Sequence, residues 1–220
     1  FPSDIPRGDA VIAPALIESA LRAWRPATVL RPGDALHSVA VGLYRALVEA
    51  LPAALRPVTG VVLGTLEDAS QRVSVTLATP GDPVIVLSPA AVADEVSHAC
   101  TLAHEWVHVG QIARVGRVQT AVDYLGSGEL RAQREADAAA VGLWLRYVLT
   151  GELPETAPTL GDLYHLSADD AALARAVVQS HLDTIRAGAL PPLDVCVVLA
   201  RAIVEHGGHA ERARLPEVLV

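Results

Sequence analysis

The sequence predicts an α+β protein, mostly α-helical, in which a small β-sheet of about three strands packs on a long helix near positions 89 to 116. Three observations predict it. Between Val58 and Leu87 the chain carries β-branched runs separated by turn residues, and on both sides of that stretch apolar residues recur with the period of a helix. Residues 104 to 108 then read His-Glu-Trp-Val-His inside one of the helical stretches.

Taken in order, Pro2, Pro6 and Gly8 mark an irregular arm, and Val11 to Trp24 follows as a short apolar helix. Pro26 and Pro32 bracket a turn. From Asp34 to Leu51 the spacing of Leu36, Val39, Val41, Leu43, Leu47 and Val48 predicts an amphipathic helix, capped by Asp34 and stopped before Pro52. The runs Val61 to Leu63, Val73 to Leu77 and Val84 to Leu87 supply the strands, the last two separated by the turn Pro80-Gly81-Asp82-Pro83. The middle run alternates with period two, as a strand covered on one face does.

Ser88-Pro89 then reads as a helix start, with helix as far as Gly116 and a break near Asp94. A second long helix covers Ser127 to Leu149, a turn-rich link Gly151 to Gly161, and two further helices 168 to 187 and 193 to 206. The divisions are an N-terminal helical segment (1–57), a central unit (58–150) and a C-terminal helical segment (151–220). A chain of 220 residues with 51% hydrophobic content has material for one core, so the three are expected to form one compact domain.

The net charge of -8, from 17 basic and 25 acidic side chains without a long run of either sign, argues against a nucleic-acid or anionic-membrane partner. No apolar run reaches the roughly 18 residues of a spanning helix, so a soluble chain with no transmembrane segment is expected. The absence of Met points to a natural start upstream of Phe1 and leaves the compartment open. Cys100 and Cys196 are too few for a disulfide framework and are expected to be reduced.

The chemistry concentrates at positions 104 to 108. On a helix His104 and His108 lie about 40° apart around the axis and one turn apart along it, so both imidazoles can reach one ion. Leu102, Trp106, Val109 and Ala113 form the apolar stripe on the opposite side, which docks the helix. Glu105 flanks the ligand face, placed to act as a base on a water beside the ion. The other histidines, His37, His98, His165, His181, His206 and His209, have no such spacing.

A catalytic zinc takes three protein ligands and keeps one position for water. Glu135 is the expected third ligand. It shares a helix face with Ala138, Ala139 and Gly142, small residues that let that helix approach the motif helix. Glu129 and Asp137, stacked with Gln133 on the other side, are alternatives, His165 and His181 are outside candidates because imidazole serves equally well, and the competing role for Glu135 is an ion pair with Arg131.

The segments "TLAHEWVHVGQ" and "READAAA" resemble the gluzincin branch of zincin metallopeptidases, in which two histidines of one helix and a glutamate of the next bind zinc. More narrowly, Gln111 after the second histidine and the strand "PVIVLSP" resemble a bacterial group of metallopeptidase-like domains found in toxin and contractile-injection gene contexts. The likeness covers roughly residues 50 to 150. It implies a zincin-like fold, zinc as cofactor, a peptide or protein substrate and hydrolysis with Glu105 as the base. It also implies a sheet whose edge strand, by chain order Val84 to Leu87, receives the extended peptide. The transition-state stabiliser in such enzymes is a Tyr or His of a later segment, here Tyr164, His165 or His181. The chain departs from the pattern at Gln133, where a Glu precedes the aspartate by four positions, and that departure supports an alternative: a catalytically inactive zincin-like structural or interaction module.

Overall fold

The computed structural model describes residues 12–50, 74–161, 164 and 166–217, which form an α+β protein that is mostly helical. Helix α1 (Pro14–Trp24) starts with proline in its first turn, where the missing N–H has no partner to lose. Strand β1 (Thr28–Leu30) and helix α2 (Ala35–Ala50) follow, then β2 (Val75–Leu77) and β3 (Val84–Val86). A 3₁₀ turn (Pro89–Val92) leads into α3 (Glu95–Val115), the motif helix. Helices α4 (Arg117–Gly126), α5 (Gly128–Thr150), α6 (Ala168–Arg186), α7 (Asp194–His206) and α8 (His209–Arg212) complete the order.

The break expected near Asp94 is there: Ser88 caps the 3₁₀ turn, and Asp94 Oδ1 accepts the Ser97 N–H at 2.8 Å to begin α3 afresh. Asp34 does not cap α2 in the expected way. Its carboxylate turns back and accepts the Arg31 N–H at 2.7 Å, tightening the loop before the helix.

Three strands form one mixed sheet in the order β1-β3-β2, with β1 parallel and β2 antiparallel to β3. Two expectations are corrected by this arrangement. Residues 28 to 30, read as part of a proline-bracketed turn, are a strand, because Thr28, Val29 and Leu30 find backbone partners on β3 from Val84 to Val86. The 84–87 run, expected at the edge, is the central strand; among the described residues β2 is the edge strand next to α3. The run at 61–63 lies outside the described residues.

The core runs through all three expected segments. Ile17 and Leu21 of α1, Leu102 and Trp106 of α3, Trp144 and Leu145 of α5, Leu182 of α6 and Leu199 of α7 belong to one buried cluster. Trp106 is fully buried and its Nε1–H donates to the Arg25 carbonyl 3.0 Å away, tying the motif helix to the end of α1. Ala113, expected in the same docking stripe, is exposed near the end of α3. Cys100 and Cys196 are free thiols, and burial pushes Cys100 up to about 12. No described helix is long and apolar enough to cross a membrane.

Candidate metal centre

Helices α3 and α5 pack side by side over a small-residue face. Ala138 is fully buried, and a β-carbon on Gly142 would stand 3.5 Å from the Cys100 carbonyl. Close approach of the two backbones lets short side chains of one helix reach those of the other. Facing each other there are His104 and His108 of α3 and Glu135 of α5, whose donor atoms all lie within 4.8 Å of one another. The imidazoles stand edge to face, 5.2 Å between ring centroids.

Glu135 Oε2 lies 3.6 Å from His104 Nε2 and 3.6 Å from His108 Nε2. That separation is too long for a hydrogen bond. It matches the edge of a donor tetrahedron, because donors 2.0 to 2.2 Å from a central ion lie about 3.3 to 3.6 Å apart. Oε2 is also buried without a hydrogen-bond partner, although it belongs to a carboxylate only 2% exposed. A buried, unbonded carboxylate oxygen is costly unless something else meets it, and a cation between the three donors does so. The residues therefore fit a divalent ion.

The orientation of His108 follows from Gln111. Gln111 Nε2–H donates to the Arg134 carbonyl at 3.2 Å, so its Oε1 is the acceptor for His108 Nδ1–H at 2.9 Å. A proton fixed on Nδ1 leaves Nε2 as the ligand atom. The aspartate pattern that the resemblance implies is not used for this purpose. Gln133 is exposed, Asp137 accepts from His181 Nε2 at 3.2 Å, and Gln111, one turn along the same helix, orients the His108 ring instead.

The second carboxylate, Glu105, is 3% exposed, and its Oε2 accepts the Thr76 hydroxyl at 2.7 Å. That bond ties edge strand β2 to the motif. The same hydroxyl lies 3.1 Å from the Glu105 carbonyl. Tyr124 of α4 donates its phenol to Glu135 Oε1 at 2.9 Å. Tyr164 stands near both carboxylates: burial first, then the charges of Glu135 and Glu105, push its phenol well above the usual range and keep it a neutral donor. Arg131, the partner in the competing reading of Glu135, gives Nε–H to the Tyr164 carbonyl at 3.0 Å and Nη1–H to the Tyr124 carbonyl at 2.6 Å.

The structure thus brings together His104, Glu105, His108, Glu135 and, of the later-segment candidates, Tyr164. It does not bring Glu129, which is exposed at the start of α5, or Asp137 and His181, which pair with each other. His165 lies outside the described residues. Thr76 and Tyr124 carried no signal in the sequence, since neither has a fixed spacing to the motif.

Burial alone would lower His108, but the Glu135 charge and then Glu105 overcome it and push the ring up from 6.5 to about 9. Burial likewise opposes the Glu135 carboxylate, and the imidazoles, His108 foremost, hold it far below its ordinary 4.5. The raised His108 contributes stability that is complete below pH 6.5 and lost as pH rises through about 9. The depressed Glu135 contributes stability that is present above 4.5 and lost in acid. An ion bound by these side chains displaces the His108 proton from Nε2. His108 is expected to contribute about one released proton on binding at pH 7 and none above pH 9, where only a proton lost from ion-bound water remains. Calorimetry of divalent-ion binding in buffers of different ionisation enthalpy measures that number directly.

Compared with known proteins, the chain matches no protein-family model, no curated protein and no solved structure.

Proposed function

We propose that the chain is a zinc-dependent peptidase in which His104, His108 and Glu135 hold the ion and Glu105 carries the proton. The observation that supports this most is the buried, unbonded Oε2 of Glu135, 3.6 Å from both imidazole Nε2 atoms. When bound, zinc lowers the pKa of water to about 7 and polarises a carbonyl.

The chain's own residues do the rest. Glu105, with Oε2 occupied by Thr76, takes the proton of the attacking water on its other oxygen and passes it to the leaving amine nitrogen. Tyr164, kept neutral, donates to the oxygen that gains charge in the transition state. In the zincin-like packing that the resemblance implies, the extended peptide lies along β2 rather than along β3, since β3 is paired on both sides.

A structural zinc site is closed by four protein ligands, whereas a catalytic one has three and a position for water. Among the described residues three donors converge, and the His104 side chain is 20% exposed, so the arrangement favours catalysis over the inactive-module alternative.

The test is metal analysis of the purified protein combined with cleavage of a mixed peptide library. Close to one zinc per chain, with cleavage lost on chelation and restored by zinc, is the expected result. Zinc without turnover would favour the module, and no zinc with no turnover would remove the proposal.

A further inference from the structure

Helix α4 is an anomaly in the packing. None of its residues is buried, and Val118 and Val122 are 78% and 57% exposed, so hydrophobic burial does not hold it in place. Polar bonds from α5 do. Arg134 Nη2 pairs with Asp123 Oδ2 at 2.5 Å, and its Nη1–H donates to the Thr120 carbonyl at 3.2 Å. Arg131, one turn earlier on α5 and buried, donates to the Tyr124 carbonyl, and its guanidinium carbon lies 5.9 Å from the centre of the Tyr124 ring.

These bonds converge on the stretch from 120 to 124, and the one side chain there that reaches the metal centre is Tyr124, with its hydroxyl on Glu135 Oε1. The two oxygens of Glu135 are thereby made unequal. One is engaged by a neutral phenol, and the other points at the imidazoles with no bond of its own.

We propose that Tyr124 is a positioning residue that fixes the denticity of Glu135: by engaging Oε1, it makes the carboxylate offer Oε2 alone to the ion. A carboxylate free to offer both oxygens would raise the coordination number and favour ions that accept more oxygen donors. With a single oxygen and two imidazoles, the protein supplies three corners of a tetrahedron, the geometry zinc and cobalt accept. This inference rests on the metal-site reading above.

The test is Tyr124→Phe, which keeps the ring and removes the hydroxyl, studied as the cobalt-substituted protein. Four-coordinate Co²⁺ absorbs visible light several-fold more strongly than five- or six-coordinate Co²⁺. Wild type is expected to give the intense four-coordinate spectrum. The variant is expected to lose much of that intensity and to bind zinc roughly tenfold to a hundredfold more weakly, at an unchanged circular dichroism spectrum. An identical cobalt spectrum and zinc affinity in Tyr124→Phe would overturn the role of Tyr124 and leave the metal site standing. Absence of stoichiometric cobalt or zinc binding by wild type would overturn both. A variant that does not fold is replaced by Asp123→Asn, which loosens α4 without touching the centre and is expected to weaken the same spectrum in the same direction; an unchanged spectrum there also overturns the proposal.

Discussion

The Glu105→Gln protein is expected to hold zinc as wild type does and to turn over peptide a hundredfold to ten-thousandfold more slowly, the range a positioned acid–base group contributes. The substitution is chosen for its shape. Glutamine fills the same buried space, and its amide oxygen can still accept the Thr76 hydroxyl, so the tie between β2 and α3 survives. What disappears is the ability to take a proton. Such a loss falls on kcat with little change in KM, because the group acts in the transition state and not in ground-state binding. The corresponding barrier increase is about 2.7 to 5.5 kcal/mol. Retained zinc with near-normal kcat would remove Glu105 from the mechanism, while loss of zinc would assign it to the metal site itself.

Glu135→Ala is expected to bring zinc content from about one per chain to a small fraction and to abolish cleavage, since two imidazoles alone form an incomplete set of ligands for a catalytic ion. The change also removes the charge that keeps His108 protonated. Burial, which acts in the opposite direction, is then opposed only by the Glu105 charge and the Gln111 hydrogen bond. The titration of the His108 resonance in a proton NMR experiment should therefore move down from about 9. Glu129→Ala and Asp137→Ala are the matched controls, expected to leave zinc in place because one is exposed and the other is paired with His181. Zinc lost in either control and kept in Glu135→Ala would reassign the third ligand.

Much of this centre was legible in the sequence because a helix has fixed geometry. The i, i+4 spacing brings His104 and His108 to one side whatever the rest of the chain does, and the small residues around Glu135 anticipate a close helix pair. The long helices α3 and α5 were legible for the same reason, with apolar periods and capping residues that act locally. What the sequence concealed depends on tertiary pairing. Thr76 meets Glu105 across 29 positions, and nothing in a strand residue announces which helix it will touch. Strand β1 is three residues long and owes its state to β3. Helix α4 carries an apolar stripe, Val118, Ala121, Val122 and Leu125, but is a short segment between Gly116 and Gly126 that buries none of it, and Tyr124 went unmarked with it.

A single residue, Gly116, ends α3 and begins α4, with a positive φ of 93° that side-chain-bearing residues rarely adopt. Tyr124 sits eight positions beyond this joint, about 12 Å along a helical arm. A swivel of about 10° at such a fulcrum carries the phenol through about 2 Å, most of the length of its bond to Glu135. The alignment of the centre thus depends on a backbone angle at a residue that touches none of its donors.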